Sequence, residues 1–254
     1  VAYRTNLLAA AMGAWTASRA ALIAHSIIVR SSRLSAHAVQ IAVAVLAGVV
    51  VGTAPDLWQH SIHANAHVMS AAVTATQVWV LIRWWATGSD RWLYILALLL
   101  GVGVTHHPIT VWGIPAYIAF IVLCRPRIVV DWKAICLGVL FAGVGMLPWS
   151  YFPLRSPSAP FGPTDMATWE GFLRHATAQG LRVNLFHFGL LDQPDRALVF
   201  GSLLRLQYGW VLMAIGLLGV LHLFVKTPRL GLLWLGFVTG HLAFTLNSVQ
   251  DVMA

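Results

Sequence analysis

Charge is what this chain has least of. Charged residues make up 9% of its 254 positions, and only eight positions are acidic. A water-soluble domain of this size has no use for 59% apolar residues and a mean hydropathy of +0.76. Lipid does, because a helix needs roughly 20 apolar residues to cross the ~30 Å hydrocarbon layer. Cysteine is nearly absent: Cys124 and Cys136 both flank a basic connection, which favours a reduced, unpaired pair over a disulfide framework. The chain also has no Walker motif, no G-x-S-x-G, no kinase signature and no G-x-G-x-x-G between a strand and a helix. That set of absences argues against a soluble-type nucleotide site, so any high-energy donor would have to arrive as a lipid. No solenoid-period repeat and no low-complexity tract is present.

What is present is an alternation. Long apolar stretches are separated by short segments that are in turn basic and rich in His, Trp, Pro and acidic residues. The net charge of +8 and the pI near 10.3 would suit a nucleic-acid binder. The basic residues, however, sit at the ends of apolar segments and form no stripe interleaved with aromatics, so no nucleic-acid partner is expected. The pattern predicts an all-α, polytopic transmembrane bundle of seven to eight spans, at about 6–29, 37–54, 67–87, 92–105, 109–124, 133–150, 198–225 and 230–247. The fourth and fifth are short and flank Thr105-His106-His107-Pro108, so they read either as a hairpin or as a broken re-entrant pair. Arg19 and Arg205 are the strongly basic residues in deep apolar context, where a charge is expensive and usually faces the bundle interior.

The connections sort into two sets. Nine of the sixteen Lys and Arg fall in one: Arg30, Arg33, Arg83, Arg91, Arg125, Arg127, Lys133, Lys226 and Arg229. The other holds Arg4, Arg155, Arg174, Arg182 and Arg196, with six of the eight acidic residues: Asp56, Asp165, Glu170, Asp192, Asp195 and Asp251. The first set reads as cytoplasmic and the second as outside. The chain is therefore expected to be one multi-pass domain over 1–254, with an extracytoplasmic loop over 151–196 and a bacterial plasma membrane as its setting. In that loop Thr168-Trp169-Glu170-Gly171-Phe172-Leu173-Arg174-His175 predicts a short helix, with Trp169, Phe172 and Leu173 on one apolar face suited to the interface. Both ends of the chain read as cut, which predicts a fragment lacking at least one upstream helix and loop. A cleaved signal peptide would explain the first residue but not the last.

The chemistry-bearing residues lie outside. His60, His63 and His67 fall at i, i+3 and i+7, so a helix would set them on one face. His106 and His107 belong to the same side. Five imidazoles could take a divalent cation, yet no HExxH, no Cys and no carboxylate at ligand spacing accompanies them. A polar, substrate-facing cluster and simple interfacial placement are the other readings. Asp56 is the carboxylate near the cluster, and it suits a base that takes a proton from an acceptor hydroxyl. It would equally suit a helix cap. Arg155, at headgroup depth, could hold a phosphate bidentately or snorkel to headgroups. Gly236-Phe237-Val238-Thr239-Gly240 is a GxxxG helix-packing pattern.

Several stretches, in order, resemble one family. Tyr3-Arg4-Thr5-Asn6-Leu7-Leu8-Ala9-Ala10 is similar to its "RVNLLSA", Ala54-Pro55-Asp56-Leu57-Trp58-Gln59-His60-Ser61 to "SPTFWRQS", and Gly101-Val102-Gly103-Val104-Thr105-His106-His107 to "GLGLTHH". Pro153-Leu154-Arg155-Ser156 is similar to "LPLRS", and Trp169 to His175 to a Trp-x-x-Phe-x-x-His segment. These are pieces of the GT-C integral-membrane glycosyltransferases, in the branch related to the transmembrane protein O-mannosyltransferase. The chain departs from that branch at "AEVY", where Asn65 and His67 stand, and at "WGD", which here reads Phe161-Gly162-Pro163. The family's acidic "DSGE" motif lies upstream of the helix at Arg4, so the resemblance puts the main catalytic acid before residue 1. It implies transfer of a sugar, with mannose the candidate, from a polyprenyl-phosphate donor to a hydroxyl on protein or another acceptor. Asp56 would be a fallback base, and Trp58, Gln59, His60, His63, His67, His106, His107, Arg155 and His175 would contact substrate. The lipid-linked sugar is the co-substrate; the sequence itself calls for no other cofactor, and a divalent metal stays open but unsupported. The rival expectations are a permease using Arg19, Arg205 and the histidines as a polar pathway, and a catalytically degenerate family member.

Overall fold

The computed structural model describes residues 2–32, 34–159, 164–179 and 184–248. Phe161-Gly162-Pro163, Arg33, Arg182 and Asp251, all used in the reading above, lie outside the described residues. Helices account for nearly all of what is described, and no strand occurs among the described residues. They are α1 (Ala2–Ser31), α2 (His37–Gly52), α3 (Pro55–Ser61), α4 (Ala66–Thr87), α5 (Arg91–His106), α6 (Ile114–Cys124), α7 (Trp132–Gly145), α8 (Tyr151–Arg155), α9 (Trp169–Ala176), α10 (Gln193–Lys226) and α11 (Pro228–Thr245), with short 3₁₀ turns between several of them.

The expected count of seven to eight spans is not supported. Two helical stretches, Tyr3–Ser31 and Leu190–Lys226, are long and apolar enough to cross a membrane. The number rises to four if two bent pairs each count as one span: α2 with α3, bent by 67°, and α7 with Leu147–Ser158, bent by 42°. The physical reasons differ by helix. Arg91–His106 and Pro108–Cys124 are apolar but short; at 1.5 Å per residue such helices reach only about 25 Å. By contrast α4, with 22 residues, is long enough but carries Ser70, Gln77 and Arg83. Its Val68, Ala72, Val80, Leu81, Ile82 and Trp84 are buried against protein. A helix surrounded by other helices does not need the hydropathy that lipid demands.

That burial makes α4 the centre of the core. Val80, Leu81, Ile82 and Trp84 pack with Leu96 of α5, Ala116, Tyr117 and Phe120 of α6, and Leu230 and Leu233 of α11. One polar side chain stitches three of these helices together. Gln77, 1% exposed, donates to the Leu99 carbonyl at 2.9 Å and accepts from the Tyr117 hydroxyl at 3.4 Å. Glycines set the closest approaches. A Cβ at Gly101 would overlap the Ala142 carbonyl oxygen, one at Gly145 the Leu98 carbonyl oxygen, and one at Gly240 the Trp112 carbonyl oxygen. The GxxxG of α11 therefore serves packing: Gly240 meets Trp112, and Gly236 meets Ala116.

Arg19 is accommodated at depth by aromatics. Its guanidinium lies 4.1 Å from the Trp15 ring centroid and 4.7 Å from that of Trp79, so two indoles from α1 and α4 sandwich it. Arg205 instead lies over Trp210 on its own helix, at 5.7 Å. At the basic end of the bundle Arg125 bridges Asp90 and Asp131, joining the α4–α5 and α6–α7 connections. The hydrogen bond it donates to Asp90 is the main reason its pKa stands above the ordinary arginine value, so the guanidinium stays charged at any working pH.

At the other end Arg196, 9% exposed, closes the C-terminus of α11. It donates to the carbonyls of Leu246, Thr245 and Ser248 and lies 3.6 Å from the Phe188 ring centroid. Thr245 ends α11 and Leu246 is its cap, so their carbonyls find no partner further along the helix, and a cation there also complements the helix dipole. Arg196→Met should lower stability by about 3 kcal/mol, because it leaves several acceptors unsatisfied in a buried site. Thermal unfolding in detergent reads this directly, and an unchanged midpoint would remove the clamp.

Candidate active site

The N-terminal ends of α1 and α4, the short helix α3 and the C-terminal end of α5 meet at one corner. Local sequence explains why. Pro55 occupies the first turn of α3, where a missing N–H does no harm. Asn65 starts α4 as its N-cap, its side chain accepting from the His67 N–H at 2.6 Å. The departure at Asn65 thus has a structural use. Asn6 of α1 accepts from the Ala64 N–H at 2.9 Å, and α1 comes so close to α3 that a Cβ at Gly13 would overlap the Ser61 side chain. On the outer flank, the Gln207 side-chain carbonyl of α10 accepts from the Asp56 N–H at 2.9 Å. Gly209, at φ 64° and ψ 172°, then breaks α10 just beyond this contact, a backbone conformation open to glycine alone.

The corner gathers four histidines, though not on the continuous helix that the spacing predicted. The chain turns between Ser61 and Ala66, and the rings still meet across that turn. His60 lies 5.7 Å from His63 and 5.8 Å from His67, and His67 lies 5.3 Å from His107, ring centroid to ring centroid. His107 also caps the turn after α5, its Nδ1 accepting from the Ile109 N–H. Asp56 is not a cap: Ala54 holds the N-cap position of α3 without a side-chain bond. Its carboxylate, 67% exposed, instead lies 3.5 Å from His60 Nε2, and His60 Nδ1 is buried with no hydrogen-bond partner among the described residues. No group of three His, Cys, Asp or Glu among the described residues comes together as a metal site. What the corner can do chemically is hold anionic and hydroxylic groups and exchange protons with them.

Residues 1–129 match the model of a known family, described as the protein O-mannosyl-transferase TMEM260 N-terminal domain. The chain belongs to this family. No curated protein and no solved structure matches it. Membership makes it a membrane protein of a transferase family related to protein O-mannosyl transfer, consistent with its long apolar helices. The histidine corner falls wholly within the family-matched residues.

The remaining candidates lie elsewhere. His106 turns away from the cluster: its Nε2 bonds the Ala66 carbonyl at 2.9 Å, and its ring lines a cavity of about 370 Å³. Arg174, His175, Trp149 and Thr105 line the same space. His175 is held there by Phe152, whose ring centroid is 4.5 Å away, and Arg174 by Glu170 at 3.1 Å. The helix expected over 168–175 runs Trp169–Ala176, with Thr168 as N-cap. A Cβ at its Gly171 would overlap the Asp165 carbonyl oxygen, which fixes the helix against the preceding turn. Arg155, at the end of α8, donates to Ser158 at 2.9 Å and does not line this cavity. Trp58 and Gln59 are exposed on α3. Sequence reasoning passed over Asn6, Gln207, Trp149 and Arg174 as functional groups. Asn6 and Arg174 stood inside the recognised motifs, whereas Gln207 offered only a polar interruption of an apolar run.

Proposed function

We propose that this chain is part of a multi-pass GT-C-type glycosyltransferase that moves mannose from a polyprenyl-phosphate donor to a protein hydroxyl at the extracytoplasmic face of a bacterial plasma membrane. The observation that carries the reading is the Asp56–His60 pair beside His67 and His107, within the family-matched part of the chain. The acceptor oxygen attacks the anomeric carbon, the carbon–phosphate-oxygen bond breaks, and the lipid phosphate leaves with the electron pair. A carboxylate takes the acceptor proton. Asp56 is positioned for that role by its histidine neighbour, alongside the acid that the family resemblance puts ahead of Arg4. Phosphate on the departing lipid would be met by imidazoles of the cluster and by His106, Arg174 and His175 in the adjoining cavity, with Arg155 a further cationic contact on the loop. Trp58 and Gln59 would face the acceptor.

The test uses the full-length protein in nanodiscs, with radiolabelled polyprenyl-phosphate mannose and a secreted-protein acceptor, with and without chelator. Label on the acceptor, insensitive to chelator, is the expected result. Absence of transfer with any polyprenyl-phosphate sugar, from folded protein, would overturn the proposal, and chelator sensitivity would reinstate a metal among the histidines.

A further inference from the structure

The opposite end of the bundle holds a second cavity, about 320 Å³, lined by Trp84, Trp85, Gly88, Cys124, Arg125 and Arg229. Three helix ends form it. α4 stops at Thr87 with Gly88 as its left-handed cap, α6 stops at Cys124, and α11 starts at Pro228. Its two cations are not equivalent. Arg125 is neutralised by Asp90 and Asp131, whereas Arg229, which lines the cavity together with Cys124, has no carboxylate partner among the described residues. Arg30 adds a third positive charge at the rim: it lies over the Trp85 ring at 5.5 Å and donates to the Ala86 carbonyl.

Trp84, one of the walls of this cavity, carries an unspent donor. Trp84 is 3% exposed, and its indole N–H is buried with no hydrogen-bond partner among the described residues. A buried N–H without an acceptor is costly, and natural structures seldom leave one. An oxyanion in the cavity would take a charge-assisted bond from Arg229, and a small turn of the Trp84 ring would bring its N–H onto the same acceptor. Indole walls and a location among the basic connections match the interfacial depth at which tryptophan and arginine meet lipid headgroups.

We propose that this cavity binds the phosphate of an anionic membrane lipid, at the end of the molecule remote from the histidine corner. The ligand chemistry is a phosphate mono- or diester, and its source is tested with two probes. Full-length protein is reconstituted in nanodiscs of phosphatidylcholine alone or mixed with phosphatidylglycerol, and separately held in detergent with inorganic phosphate. The readouts are retained lipid by native mass spectrometry and the alkylation rate of Cys124 in the cavity wall, followed on its own peptide. Phosphatidylglycerol should be retained over phosphatidylcholine and should slow Cys124 alkylation. Arg229→Gln should weaken this retention about tenfold or more, and Trp84→Phe, which keeps the ring and removes the N–H, about fivefold. Slowing by phosphatidylglycerol alone identifies a headgroup, and equal slowing by inorganic phosphate identifies the free anion; either upholds phosphate recognition. Equal retention of both lipids, Cys124 protected by neither probe, or full retention in Trp84→Phe would overturn it.

Discussion

Asp56→Asn in the full-length protein should lower mannosyl transfer by about 10²- to 10⁴-fold, the range expected when a positioned general base is lost. The effect should fall on kcat, with donor KM little changed, because in the proposed mechanism the carboxylate takes the acceptor proton. Stability should not move. The side chain is largely exposed and makes no capping bond, and the Asp56 N–H keeps its bond to Gln207. The amide also keeps a contact for His60, so the variant isolates charge and basicity from shape. A loss of less than about tenfold would pass the base role to the carboxylate expected ahead of Arg4, and would leave Asp56 as the partner that orients His60.

The second large effect concerns the α5–α7 contact. Gly145→Ala should destabilise the protein by roughly 1–3 kcal/mol, because the new methyl group meets backbone that cannot rotate away. The overlapping atom is the Leu98 carbonyl oxygen of α5, and Gly101 makes the reciprocal approach to Ala142. The same helix supplies its own controls. Gly138 and Gly143 have open space where a Cβ would stand. Alanine there should be neutral or stabilising, by up to about 1 kcal/mol from helix propensity. Gly145→Ala should also impair transfer, since α5 carries Thr105 and His106 to the outer cavity and the turn after α7 carries Trp149 to the same place. Thermal midpoints in one detergent decide the matter. Three alanine variants that behave alike would show that α5 and α7 are not in backbone contact.

These contacts explain what could be read in advance. The sequence patterns resolved helix positions well where apolar runs were bounded by Pro, Gly or polar residues: α4, α5, α9 and α11 start and stop within about two residues of their expected limits. They resolved span count poorly, because hydropathy averages over a window and does not register a bend. The 67° turn between α2 and α3 and the 42° turn after α7 both fall within or beside stretches that look continuous as composition. The same blindness affected the histidines. Periodicity alone put His60, His63 and His67 on a single helix, whereas a chain reversal brings them together and adds His107 from α5.

By itself the sequence determined that this is an apolar, all-helical membrane protein with nine of its sixteen basic residues at one set of connections, since composition and charge placement depend only on which solvent each segment meets. It also determined the family, through short motifs whose glycines, prolines and cap residues are dictated by local backbone geometry. Tertiary structure decided how the chemistry is divided: His107 with the corner, His106 with the neighbouring cavity, Asp56 on His60, and Arg155 on its own loop. It also decided that Gln77 and Arg196 are bonded by groups far away in the chain, and that Arg19 lies against Trp79 of another helix. Such pairings turn on which helix ends meet, a result of backbone approach at Gly13, Gly101 and Gly145 that no linear pattern flagged, and at Gly240, which the GxxxG did.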